Sequence, residues 1–315
     1  MMKLSEFFEK AQTKDIVINT DIDGFLSGMI LQRYYDCKIV GFTNSKDTIW
    51  LSPDVKSIYD PVYIDIFVNN RDTYCIDQHI VAYDRWHLEH ILSYGTKLNP
   101  NLNMQKKTYL NEYAEKYPFG TVHFLIALMK LDAKEPEFND ISKPQVISGL
   151  DGEKYEITPG QLILRADDAF YTSLIKYKKN SRYWWNELKK YNSDTINRLC
   201  NYLDSYGMDR DCIKKTQTSV EKFFLDGLKC SGKDGAFYQI SDDGKTLKDE
   251  VLNYNTQIGK IVGFELKLPK EVKVHRGTPK IEMCTKKNIR QAVTYAFIYG
   301  PQREQESFSF TIDID

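Results

Sequence analysis

No stretch of this chain reaches the roughly twenty consecutive apolar residues that a membrane-crossing helix needs. No two cysteines are spaced CxxC; the six present (Cys37, Cys75, Cys200, Cys212, Cys230 and Cys284) are scattered over 315 residues. That usage argues against a disulfide framework and for reduced thiols in a cytoplasmic protein. The opening MMKLSEFFEKAQTKD holds no apolar core of signal-peptide length, which points to the same compartment. Net charge is missing too: 43 Lys and Arg against 44 Asp and Glu leave a formal −1. A protein that tracks long DNA or RNA ordinarily carries a net basic surface, so a small partner molecule is expected instead.

With 42% hydrophobic and 28% charged residues the composition suits a globular protein, and the length suits two domains. Up to about residue 205 short β-favouring runs alternate with helical patterns. Helices are expected near 5–12 (capped by Ser5), 24–35, 111–116, 121–131, 162–177 and 183–203, and strands at 38–42 and near Val62 and Cys75. This reads as an α/β fold with a mostly parallel, doubly wound sheet and helices on both faces over residues 1–205. Residues 206–232 have few breakers and are expected to form a linker helix. Residues 233–315 switch to short β-like runs (236–240, 261–268, 280–284, 308–314) with a helical stretch at 288–299, a smaller C-terminal α/β domain.

The chemistry concentrates at strand ends. Residues 16–31 read IVINTDIDGFLSGMIL: an apolar strand, an acidic turn and a helical pattern. Asp21 and Asp23, two apart, would point to one side of a strand ending. Paired carboxylates repel unless a cation lies between them, so a hard divalent metal is the functional reading; the plainer one is a helix N-cap. Asp65 is embedded in the apolar run PVYIDIF, and Asp77-Gln78-His79 follows Tyr74-Cys75-Ile76. A buried aspartate is costly without a partner, and parallel strands gather their carboxyl ends along one ligand-binding edge.

This ordered set resembles the DHH superfamily of metal-dependent phosphoesterases. Its first motif is similar to Asn19-Thr20-Asp21-Ile22-Asp23-Gly24-Phe25-Leu26-Ser27, its second to Asp65, its third to Asp77-Gln78-His79. Asn99-Pro100, the helix opened by Gly120-Thr121, and Arg165-Ala166-Asp167-Asp168 extend the likeness over about two-thirds of the chain. The resemblance implies a metal held by Asn19, Asp21 and Asp65. It implies a second metal held by Asp23, Asp65, Gln78 and one of Asp167 or Asp168. Asp77 would support the third motif and His79 would meet the substrate phosphate, both as catalytic residues. The implied cofactor is one or two Mn²⁺ or Mg²⁺ ions, and the implied reaction is two-metal hydrolysis of a phosphodiester or phosphomonoester in a nucleotide or short oligonucleotide.

Asn19 and Gln78 stand where the family has histidines. An amide oxygen is a weaker, harder donor than imidazole, so preference should drift from Mn²⁺ toward Mg²⁺ or Ca²⁺. The site is then either retuned or reduced to binding a nucleotide or partner. A RecJ-like exonuclease acting on single strands is a further alternative. The family's Gly-Gly-His stretch is missing; Arg276, in His275-Arg276-Gly277, is the nearest substrate-binding candidate, in an expected loop, and Arg290 is a similar one in a helix. His87 and His90 of WHLEH could face one metal, though packing is the default for them. Tyr183-Trp184-Trp185 could cover a cleft.

Overall fold

The structure is a computed structural model that describes residues 1–166, 178–205, 210–229, 239–282, 285–297 and 308–312. It begins with α1 (Leu4–Ala11), β1 (Asp15–Asn19), α2 (Ile22–Tyr35), β2 (Lys38–Thr43) and β3 (Thr48–Leu51). Then come β4 (Val62–Ile64), β5 (Cys75–Ile76), α3 (Arg85–Leu92), β6 (Lys97–Leu98), α4 (Pro100–Asn103), α5 (Tyr109–Glu112) and α6 (Thr121–Met129). A hairpin of β7 (Gln145–Ser148) and β8 (Lys154–Ile157) precedes α7 (Pro159–Leu164). Helices Lys178–Lys189, Asp194–Ser205, Arg210–Lys222 and Asp249–Val262 follow. The last elements are β9 (Lys273–Arg276), β10 (Thr278–Glu282), the helix Lys286–Gln291, β11 (Thr294–Phe297) and β12 (Phe308–Ile312).

The chain is an α/β protein built on a mostly parallel seven-stranded sheet, ordered β6-β5-β4-β1-β2-β3-β9. The five strands from β6 to β2 run parallel, while β3 and β9 close the other edge antiparallel. Alternation along the strands sorts their apolar side chains into two of the three core clusters. Ile16, Ile18, Val62, Ile64 and Ile76 face the helical side, packed with Phe25 and Leu26 of α2 and Val122 of α6. Val17, Tyr63 and Cys75 face the other way, where Val55, Ile58, Ile66 and Val68 cover them.

That second cluster contains no helical residue among those described, which corrects the expectation of helices on both faces. The reason is connection length: β2 turns directly into β3, and the segment from β4 to β5 is too short for a crossover helix.

Other local expectations also change. Residues 261–268 form no strand; Ile261 and Val262 end a buried helix that stops at Gly263 (φ +104). Of the stretch 288–299, the first residues end the short helix Lys286–Gln291 and Thr294–Phe297 form strand β11, while 298 and 299 lie outside the described residues. The helix expected over 183–203 is two helices broken around Asn192 (φ +58). α1 starts after Lys3, and Ser5 bonds Asp132 instead of capping it. Trp184 and Trp185 are both buried, so the aromatic triplet is largely core, with only Tyr183 exposed. Most of 236–240 lies outside the described residues.

The small module expected over 233–315 is divided. The helix Asp249–Val262 packs into the main core, with Tyr254 edge-on to Phe25 at 4.8 Å, and β9 pairs with β3. The three-stranded sheet β10-β12-β11 stays apart from the large sheet and sends Tyr295 and Phe297 onto Phe67 and Tyr109. Among the described residues no helix is long and apolar enough to cross a membrane.

Candidate functional site

From β1 the chain steps to β2 on one side, while β4, β5 and β6 extend the sheet on the other. The strand order therefore reverses at β1, and the crevice outside the carboxyl ends of β1 and β4 is where open α/β sheets bind ligands. Asn19 ends β1, Asp65 directly follows β4, and Asp77 directly follows β5.

Asp21 caps α2, accepting from Gly24 N at 2.9 Å. Gly24 is required there because a Cβ would lie 2.2 Å from the Asn19 carbonyl oxygen. One residue into the helix, Asp23 is buried, and its two oxygens accept from Thr121 N (2.6 Å) and Val122 N (2.8 Å) at the start of α6. A carboxylate at a helix N-terminus satisfies orphan N–H groups and meets the positive end of the helix dipole. Gly120 makes that approach possible, since a Cβ would sit 2.8 Å from both Asp23 oxygens.

Asp65 is buried in a left-handed conformation (φ +62), uncommon for a residue with a side chain. Its Oδ1 accepts from the Thr121 hydroxyl (2.9 Å) and its Oδ2 from Asn19 Nδ2 (3.1 Å). The same Asn19 nitrogen reaches Asp21 Oδ2 at 2.9 Å. Burial, and then the neighbouring Asp23 charge, hold the Asp65 carboxyl well above the usual range. Burial, and then Asp65, do the same to Asp21. Asp21, Asp23 and Asp65 thus crowd one point.

On the other flank, Asp65, Asp77 and His79 each place a ligand atom within 4.8 Å of the others. Asp77 is buried and tightly held: Oδ1 lies 2.7 Å from His79 Nδ1, while Oδ2 accepts from His79 N and Asn99 Nδ2. Asn99 also donates to the His79 carbonyl (2.7 Å) and caps α4 through Oδ1. Asn101 donates to the Gln78 carbonyl (2.7 Å) and accepts from Tyr117 N. These amides fix the loop that carries His79, whose side chain is 37% exposed and is the solvent-facing member of the cluster. Gln78 Nε2 lies 3.3 Å from His79 Nε2.

Asn19, Asp21, Asp23, Asp65, Asp77 and His79 therefore come together, with Gln78 beside His79. Asp167 and Asp168 lie outside the described residues. Arg276 stands on an edge strand instead of a loop. Its strand is three positions from β1, roughly 14 Å at ordinary strand spacing, with Asp47 as its charged neighbour. Thr121, Gly120 and Asn101 were not singled out by their spacing, although a helix opening at Gly120-Thr121 was. Their partners are distant in sequence, so no local pattern betrays them.

The donor set suits a hard cation, since crowded carboxylate oxygens are what Mg²⁺, Ca²⁺ and Mn²⁺ bind, and an imidazole stands beside them. Asn19 is oriented otherwise: its oxygen accepts from Thr20 N (2.8 Å) and its nitrogen faces the carboxylates, so it must turn over to become a ligand. No family model, curated protein or solved structure matches the chain.

Proposed function

We propose that this chain is a metal-dependent phosphoester hydrolase, DHH-like in fold and site, acting in the cytoplasm on a nucleotide or short oligonucleotide. The observation that carries the reading is the convergence of Asp21, Asp23 and Asp65 at the sheet's switch point, where burial and then like charges raise two of their pKa values. Such crowding is costly for a metal-free protein and becomes favourable around a divalent ion. Asp21, Asp23 and Asp65 would hold one or two Mg²⁺ or Mn²⁺ ions, with His79 or Asp77 on the open flank.

A bound ion supplies a Lewis acid that acidifies water and offsets charge building on phosphorus. The chain's own groups do the rest. His79, held at Nδ1 by Asp77, offers its other nitrogen to a phosphate oxygen or to the leaving group. Asn99 and Asn101 keep that loop in register, and Thr121 steadies Asp65.

The test is hydrolysis of bis(p-nitrophenyl) phosphate and of dinucleotides with Mn²⁺, Mg²⁺ or EDTA. Metal-dependent turnover that disappears in Asp65→Ala is expected. Turnover that survives that substitution, or EDTA, would refute the assignment. A ladder of products from labelled single strands would instead favour the exonuclease.

One observation favours a second reading, a non-hydrolytic nucleotide-binding protein. The Asn19 amide already donates to two of the carboxylates, which lessens the need for an ion. Nucleotide binding that Asp65→Ala removes, without turnover under any metal, would decide for it.

A further inference from the structure

The WHLEH histidines and Arg290 are unconnected in sequence, yet they line one cavity of about 220 Å³ between α3 and the helix Lys286–Gln291. A metal pair is excluded by the hydrogen bonds. His87 accepts from Tyr83 N at Nδ1, and its Nε2 meets the Tyr295 hydroxyl at 3.3 Å. His90 Nε2 lies 3.0 Å from the Tyr94 hydroxyl.

The remaining walls have a different chemistry. Trp86 is 56% exposed, unusual for an indole, and lies parallel to His90 with centroids 5.5 Å apart. Tyr94 adds a third ring. Asn69, which lines the cavity, donates through Nδ2 to the Ile289 (2.8 Å) and Ala292 carbonyls, which fixes its amide. Arg290 is exposed, and among the described residues it makes no ion pair or hydrogen bond. Arg71, exposed and outside the cavity lining, acts electrostatically on Tyr94. The acid on the wall, Asp84, is committed to capping α3 through His87 N (2.8 Å).

Stacking rings, a fixed amide and a guanidinium are the complement of a planar heterocycle bearing an anionic group. The volume falls below the 300–1,000 Å³ typical of drug-sized sites, so the cavity encloses part of one such unit, the rest lying at its mouth, and has no room for a chain of them. We infer that this cavity binds a nucleoside monophosphate, its base against Trp86 and its phosphate toward Arg290. The acidic centre is not needed for this binding, so the inference stands or falls separately from hydrolysis.

The test is calorimetric titration of the full chain in EDTA with AMP and CMP, and with adenosine and inorganic phosphate as the two halves of the ligand. One-to-one binding of the monophosphates is expected, at least tenfold tighter than either half. Trp86→Ala and Arg290→Ala should each weaken it roughly tenfold or more, as lost stacking and lost charge-assisted bonds do. Both residues are exposed, so the fold should be retained, which far-UV circular dichroism checks. Asp65→Asn should bind like the parent. Three results would overturn the inference: no saturable binding at millimolar nucleotide, unchanged affinity in the Trp86→Ala/Arg290→Ala double variant, or binding abolished by Asp65→Asn.

Discussion

The side-chain nitrogen of Asn19 lies 3.1 Å from Asp65 Oδ2, so a neutral amide faces the carboxylate around which the acidic centre is built. Because the same nitrogen also reaches Asp21, one residue ties the end of β1 to the residues after β1 and β4.

Asp65→Asn is expected to stabilise the metal-free protein by about 1 kcal/mol while abolishing metal binding. It removes a buried charge from beside Asp21 and Asp23. It also places asparagine, which tolerates left-handed backbone better than most residues, at φ +62. The Asn19 donor keeps an oxygen acceptor, and the Thr121 hydroxyl can turn to accept from the new amide. A lower midpoint in urea than the parent shows would contradict this.

Acidity should reveal the same crowding. Asp21 and Asp65 have raised pKa values when folded, so the folded chain keeps protons that the unfolded chain releases from near pH 4 upward. Stability is therefore lost as pH rises from about 4 through the raised values, and the advantage of Asp65→Asn over the parent grows with it. Taking that difference cancels His123, whose pKa burial pushes down to about 3 and which costs stability in the opposite direction, as pH falls below about 6.5. Thermal melts in EDTA at several pH values measure it, and saturating Mg²⁺ should shrink the gap. A gap that narrows with rising pH in EDTA is the contrary result.

Gly120→Ala tests the approach of α6 to the centre. The added methyl must displace the Asp23 carboxylate and with it the bonds from Thr121 N and Val122 N. A loss of about 3 kcal/mol in urea unfolding is expected, since bonds to charged groups are worth about 1.5–3 kcal/mol each. Wild-type stability would mean that Asp23 is not pinned there.

Asn99→Ala removes the α4 cap and two bonds to the His79 loop, and should cost about 2 kcal/mol. Asn99→Asp retains the cap but sets a carboxylate against Asp77. It should be no more stable than the alanine variant at pH 7. If the aspartate variant matched the parent, the Asp77 contact would carry no weight.

Legibility in the sequence followed range. Asp21, Asp23, Asp65 and Asp77 stand out because each interrupts or ends an apolar run, a local pattern that survives without the fold. The same holds for α2 and β2. Thr121 gives no such signal, because its partners Asp23 and Asp65 lie far away in the chain. β9 was missed since KVHR is a polar, half-exposed edge strand with no alternation to read. Residues 261–268 misled for the reverse reason: Ile261 and Val262, on the buried end of a helix, resemble a core strand when only a short apolar window is visible.

The antiparallel pairing of β3 with β9 joins an early segment of the chain to a late one. During synthesis the β3 border of the sheet must therefore wait, its peptide groups unsatisfied, until more than two hundred further residues, up to Arg276, have been made. Loop closure over such a span is slow, and a bare strand edge recruits other chains. A protein cut off before Lys273 should accordingly self-associate even though every residue of the acidic centre is still present.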